Sequence, residues 1–125
     1  MRAPTPFNDV ELRFLTSEDR PLGRVATVGA DGTPHVAPSG WTFNEQLGTV
    51  DVTGRDVEKT KKFRDVARTG RAALVVDGVA PVPGWSPWAI EVRGAAEAVS
   101  GPPALIRIKP ERVVSWGLEQ VLDLP

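Results

Sequence analysis

The chain has no cysteine and no tyrosine, and only one histidine and one methionine among its 125 residues. Without cysteine there can be no disulfide scaffold, no thiolate zinc site and no cysteine nucleophile. A single histidine excludes a multi-histidine metal centre. Long apolar runs are missing too. The longest, Ala72–Val76, is far shorter than the ~18 residues of a membrane-spanning helix. The first residues, Met1-Arg-Ala-Pro-Thr-Pro6, lack the apolar stretch of a signal peptide, so the expectation is a soluble, cytoplasmic protein with no membrane partner.

What is present fits a small folded domain. Apolar residues make up 41%, charged residues 25%, and the net charge is −1, a balance that excludes a disordered tail. The length fits one domain, residues 1–125, on the usual ~100–200 residues per domain. Twelve glycines and twelve prolines punctuate short apolar runs, which favours β structure with tight connections. Four tryptophans are a large flat surface for so small a chain, more than its own core readily absorbs. Core or subunit contact is the first reading of each.

Along the chain, Asn8–Leu15 reads as a short helix. Gly23–Gly29 reads as a strand, Asp31-Gly32 as a two-residue hairpin turn, and Thr33–Phe43 as the returning strand. After a turn at Asn44–Leu47, Gly48–Thr53 completes an antiparallel meander. Asp56–Thr69 has helical spacing, with Phe63, Val66 and Ala67 on one face and Gly70 placed for a C-terminal cap. Arg71–Val76 is a strand, and Asp77–Pro87 a loop carrying Trp85. Trp88–Val99 is a long strand whose Gly94-Ala-Ala96 run predicts close approach of another backbone. Leu105–Ile108 and a segment ending at Trp116 supply the last strands. Six or so strands with one or two short helices predict a mainly β fold, a small closed antiparallel barrel without open edges.

Charge is uneven. Arg55–Arg71 carries seven bases and three acids, against eight bases and thirteen acids elsewhere. Lys61, Arg64 and Arg68 share the helix face opposite Phe63, so losing Lys61 should cost little stability. This face has two readings. One is an ordinary solvated surface; the other is an anion site, because a helix start offers free N–H groups to which the lysines add whole charges. Gly54-Arg-Asp-Val-Glu-Lys-Thr60 is not a P-loop, since Glu58 stands where a phosphate needs glycine. His35 reads as an ordinary polar strand residue, and nothing around Ser39 forms a nucleophile elbow. The nearly neutral net charge argues against a nucleic-acid partner. So few acid, base or nucleophile candidates fit chemistry carried by a bound cofactor.

Four segments in order are specific enough to carry a family resemblance. They are Gly23–Pro38, Thr60–Val66 leading into Arg71–Asp77, Glu91–Glu97, and Ile106–Gly117. Together they resemble the pyridoxamine 5′-phosphate oxidase-like proteins, specifically their small flavin- or deazaflavin-dependent reductases. The resemblance implies a six-stranded split β-barrel of the FMN-binding type. It also implies a homodimer with two cofactors in grooves at the subunit interface, and a small-molecule substrate. In the family a Ser/Thr-basic-Lys motif at a helix start holds the cofactor phosphate, which Thr60, Lys61 and Lys62 match. Ring contacts carry over to Ser39, Gly40 and Trp41 of the second strand, and to Val52, Thr53 and Arg55 at the end of the third. The oxidase's strand arginine and lysine align with Ala37 and Thr42, a departure that speaks against vitamin B6 oxidation. The implied activity is therefore an oxidoreductase using the deazaflavin coenzyme F420, with FMN as the alternative cofactor. A non-catalytic carrier of a flavin, deazaflavin or tetrapyrrole is the alternative from another class.

Overall fold

The computed structural model describes residues 5–18 and 21–122. The reading of the first four residues as free of a signal peptide lies outside them. Seven strands appear: β1 Gly23–Val28, β2 Pro34–Asn44, β3 Thr49–Thr53, β4 Arg71–Val79, β5 Pro87–Val99, β6 Leu105–Ile108 and β7 Arg112–Trp116. Three short helices join them: α1 Asp9–Leu15, α2 Lys61–Thr69 and α3 Leu118–Leu122. Six strands close in the order β4-β1-β2-β3-β6-β5, with β5 pairing back to β4. The expected closed antiparallel barrel is therefore observed, with β7 as an additional strand along β5. No helix among the described residues is long and apolar enough to cross a membrane.

Strand β5 is long enough to serve three neighbours. It pairs with β4 over Pro87–Ala95, with β7 over Ala89–Arg93 and with β6 over Ala96–Val99. The chain passes from β6 to β7 directly over Gly94, where a Cβ would lie 1.9 Å from the Lys109 carbonyl oxygen. The predicted close approach is thus met within one chain, between Gly94 and Lys109.

Local chemistry fixes the helices. Asn8 caps α1 reciprocally: its side chain accepts from the Glu11 N–H at 2.8 Å, and Glu11 accepts from the Asn8 N–H at 2.9 Å. Two such bonds satisfy otherwise orphaned donors. The second Glu11 oxygen accepts from the Ser115 hydroxyl at 2.6 Å, which ties α1 to β7. The segment read as one helix over Asp56–Thr69 is broken. A single 3₁₀ turn, Val57–Lys59, precedes α2, and Thr60 between them is extended (φ −86°, ψ 158°). The extended residue caps α2, its hydroxyl accepting from the Phe63 N–H. Gly70 closes the helix in the left-handed region at φ 70°, where glycine carries no Cβ penalty.

Three further boundaries differ from the sequence reading. β4 runs on to Val79, so the connecting loop is Ala80–Ser86 rather than Asp77–Pro87. Ala67 is exposed, and the buried side of α2 is Val66 and Asp65 with Phe63 at its margin. The first hairpin has three loop residues, not two, for reasons set by Gly29 and Gly32. The Gly32 N–H donates to the Gly29 carbonyl, the Gly29 N–H donates to Thr33, and Gly32 takes φ 85°. A turn followed by a left-handed glycine is the usual three-residue solution.

The barrel is filled by the inward residues of its strands, among them Val25, Val50, Val52, Leu74, Ile90, Ile106 and Ile108, all essentially inaccessible. Trp41 and Trp88 belong to this core. Phe14 of α1 lies between them, 6.4 Å from Trp41 and 5.3 Å from Trp88 by ring centroid. Trp85 and Trp116 are the exposed pair, at 80% and 52%.

Candidate functional site

A cleft of about 280 Å³ opens where the start of α2 meets the β1–β2 hairpin. One wall is Thr60, Lys61 and Lys62; the other is Val25 and Thr27 of β1 with His35, Val36 and Ala37 of β2. The register explains the second wall. Val25 pairs with Ala37, and Thr27 with His35, so these four side chains share the inward face.

Asp65 holds the two walls in place. Its carboxylate is 99% buried, accepts from the Thr27 hydroxyl at 2.9 Å, and lies 3.4 Å from the Lys61 ammonium and 3.5 Å from the Arg68 guanidinium. Burial alone raises its pKa. The Thr27 hydroxyl and the two cations outweigh burial and hold the carboxyl below its ordinary value. A buried charge needs such partners, and here they join α2 to β1. Lys61 is therefore not a free surface lysine, which corrects the expectation that its loss costs little stability. Arg68 is also engaged, donating to the Val28 carbonyl as well as to Asp65. Arg64 donates to the Lys59 carbonyl at 3.1 Å. On the hairpin loop, the Asp31 carboxyl is held below its usual range by the Thr33 N–H first, with a smaller contribution from the charge of His35.

The donors facing the cleft suit an anion. The Thr60 hydroxyl is already committed, donating to Val57 at 2.6 Å and accepting from Phe63. The amides of Lys61 and Lys62, at the first positions of the nine-residue α2, bond to no acceptor among the described residues. Lys62 forms no ion pair among those residues either. Unpaired N–H groups at a helix start, with the positive end of its dipole, fit phosphate. Among the described residues no carboxylate lines this cleft. No metal-ligating group of three or more residues occurs among the described residues.

Of the nine residues carried over as cofactor contacts, Thr60, Lys61 and Lys62 meet in this cleft and the other six do not line it. Ser39 is buried opposite Gly23. Trp41 is a core residue whose indole N–H donates to Pro21 at 2.9 Å, and Val52, paired with Trp41, is fully buried. Their side chains pack the barrel. Gly40 and Thr53 pair with each other, and Arg55 is exposed beyond β3. His35, Thr27 and Ala37 are lining residues that the sequence reading had not selected.

The family model for pyridoxamine 5′-phosphate oxidase matches residues 11–120. A curated relative, the 5a,11a-dehydrotetracycline/5a,11a-dehydrooxytetracycline reductase of Streptomyces rimosus, is 37% identical over 123 residues, covering 91% of this chain and 85% of that protein. Among solved structures, a conserved hypothetical protein of Mycobacterium tuberculosis superposes with a TM-score of 0.71 at 18% identity, over 95% of this chain and 89% of that one. An FAD-binding protein of Mycobacterium smegmatis gives 0.62 at 18% identity, over 88% and 94%. A protein described as an F420 reductase gives 0.57 at 24% identity, over 76% and 90%.

Proposed function

This chain belongs to the pyridoxamine 5′-phosphate oxidase family, and from that membership we propose that it is a reductase using a phosphate-bearing flavin or deazaflavin, with coenzyme F420 as the cofactor. The observation that carries the reading is the cleft in which the open end of α2, Lys61 and Lys62 face His35. Its donor set fits a phosphate, and its β-strand wall adds the apolar Val25, Val36 and Ala37 beside Thr27 and His35. The reductase activity of the Streptomyces relative supports reduction as the direction of chemistry.

Two residues favour F420 over FMN. Ala37 lines the cleft and Thr42 is exposed on β2, and these are the positions aligned with the oxidase's strand arginine and lysine. The phosphate charge is met at α2, by Lys61 and Lys62. Arg64 on the exposed side of α2 supplies a cation for the acidic tail that F420 carries and FMN lacks. When bound, F420 supplies a hydride, which suits reduction of a conjugated C=C or C=N bond, with the balancing proton from water. The protein's part is to fix the phosphate through Lys61, Lys62 and the α2 amides. It also presents the β1–β2 surface to the rest of the cofactor. Gly40, Thr53 and Arg55 act from a second copy of the chain, in a homodimer with its cofactors at the interface and a small-molecule substrate entering there.

Titrating the purified protein with F420, FMN and FAD, and following tryptophan fluorescence, tests the assignment. Micromolar binding of F420, together with oxidation of reduced F420 only when an activated enone is present, is the expected result. Binding of FMN alone would reassign the cofactor. Binding without acceptor-dependent turnover would make the protein a carrier, and failure to bind any of the three would refute the reading.

A further inference from the structure

We infer that His35 is a direct ligand of the cofactor phosphate, and that Gly29 is a glycine because it must leave room for this contact. The inference rests on the phosphate reading of the cleft and adds a strand-side ligand to it. His35 faces inward because it pairs with the buried Thr27. Its ring lies in the same cleft as Lys61 and Lys62, and neither ring nitrogen makes a hydrogen bond to the described residues.

Gly29 supplies the independent observation. It is not among the glycines with positive φ, so its backbone does not demand glycine. Space does. A Cβ there would lie 2.9 Å from His35 Nε2, 3.1 Å from its Cδ2 and 3.3 Å from Lys61 Nζ. The imidazole edge and the ammonium therefore converge over one bare Cα. Both donors are thereby offered to one anion, and a phosphate has oxygens enough to accept from each. Imidazole donates through Nε2 in the matching neutral tautomer, and adds a full charge when protonated. The charged groups around it are Lys61 and Lys62 of α2 and Asp31 of the hairpin loop; Asp65 is shared by Lys61, Arg68 and Thr27, and Arg68 also donates to Val28.

The test measures dissociation constants of F420 and FMN by calorimetry, with a thermal melt of each sample, for the parent, His35→Ala, His35→Gln, Gly29→Ala and Lys62→Ala. His35→Ala and Gly29→Ala should each weaken binding about 5- to 20-fold at unchanged melting temperature. His35→Gln, which places an amide N–H near Nε2, should recover most of that loss. If Lys62→Ala weakens binding while His35→Ala does not, the phosphate sits on α2 alone and this inference is wrong. If none of the variants changes binding, the anion site itself lies elsewhere and the phosphate reading falls with it. A loss in His35→Ala matched by a fall of several degrees in its melting temperature would assign His35 to packing. Should Gly29→Ala fail to fold, the contrast between His35→Ala and His35→Gln still decides the question.

Discussion

Replacing Lys62 by alanine should weaken cofactor binding about 10- to 100-fold and leave the fold's stability where it was. Lys62 lines the cleft and makes no ion pair among the described residues, so the empty protein loses only a partly solvated side chain. Such surface changes fall within about 0.5 kcal/mol. A charge-assisted hydrogen bond to phosphate contributes about 1.5–3 kcal/mol, and each 1.4 kcal/mol is tenfold in Kd. Lys61→Ala should behave differently. It removes a phosphate ligand and also one of the two cations that accompany the buried Asp65, so both binding and stability fall. The double variant should lose at least 10²-fold in binding, and parental affinity should itself decline with added salt, since part of the attraction crosses solvent. Calorimetric titration and thermal melts on the same samples separate the two lysines. A Lys62→Ala protein that binds like the parent, or one that loses stability in step with affinity, would refute the reasoning.

Stability should fall in acid. Asp65 has its carboxyl held below the ordinary value, so its contribution is present above the unfolded carboxyl's range and is lost as pH falls through the lower folded value. Asp65→Asn should flatten that acid limb in melts taken from pH 7 to 3, and Lys61→Ala should shift it to higher pH. Gly94→Ala should destabilise by at least the ~1–3 kcal/mol of an overpacked interior, because the new Cβ would meet the Lys109 carbonyl; a parental denaturant midpoint would contradict the β6–β7 crossing. The exposed apolar residues Val36, Val79, Trp85 and Trp116 should be covered in a homodimer. Sedimentation at ~100 µM, where an obligate dimer is assembled, should give twice the chain mass, and a monomer there would remove the shared-groove site.

Much of the barrel was legible because its strands alternate or run apolar between turn residues. Gly23–Val28 lies between glycines and Arg71–Val76 opens after Gly70, and both are strand as expected. Less legible were boundaries decided by partners distant in sequence. Asp77-Gly-Val79 reads as loop by composition, yet it is strand because Gly78 makes room for the Trp88 ring directly opposite, within 2.8 Å of where a Cβ would be. The break at Thr60 was hidden for a related reason. Helical periodicity runs through it, and only the capping hydroxyl and the preceding 3₁₀ turn, entered from a left-handed Asp56 at φ 51°, show that α2 starts there. The break matters for function, since it is what opens the amides of Lys61 and Lys62.

The sequence reads His35 as an ordinary polar strand residue, and a single residue of register decides which face it takes. A two-residue turn at Asp31-Gly32 pairs Ala30 with Thr33 and therefore places His35 opposite Val28, on the exposed face. The actual loop includes Ala30, closes at Gly29 and Thr33, and pairs His35 with Thr27. Because side chains alternate with period two, a slip of one residue moves every member of a strand to the other face. The actual register puts His35 and Ala37 on the inward face with Thr27 and Val25, while Val36 meets the cleft only from its exposed rim. The local signal was the Asp31 side chain, which accepts from the Thr33 N–H at 2.9 Å. That bond follows the turn with a left-handed Gly32 and favours the longer loop over the tight one. Gly29 completes the argument. In the two-residue reading it is only the end of a strand, whereas in the true register it lies beneath both the imidazole and the Lys61 ammonium. The same three loop residues that set the barrel's first hairpin therefore decide which side chains can reach an anion at α2.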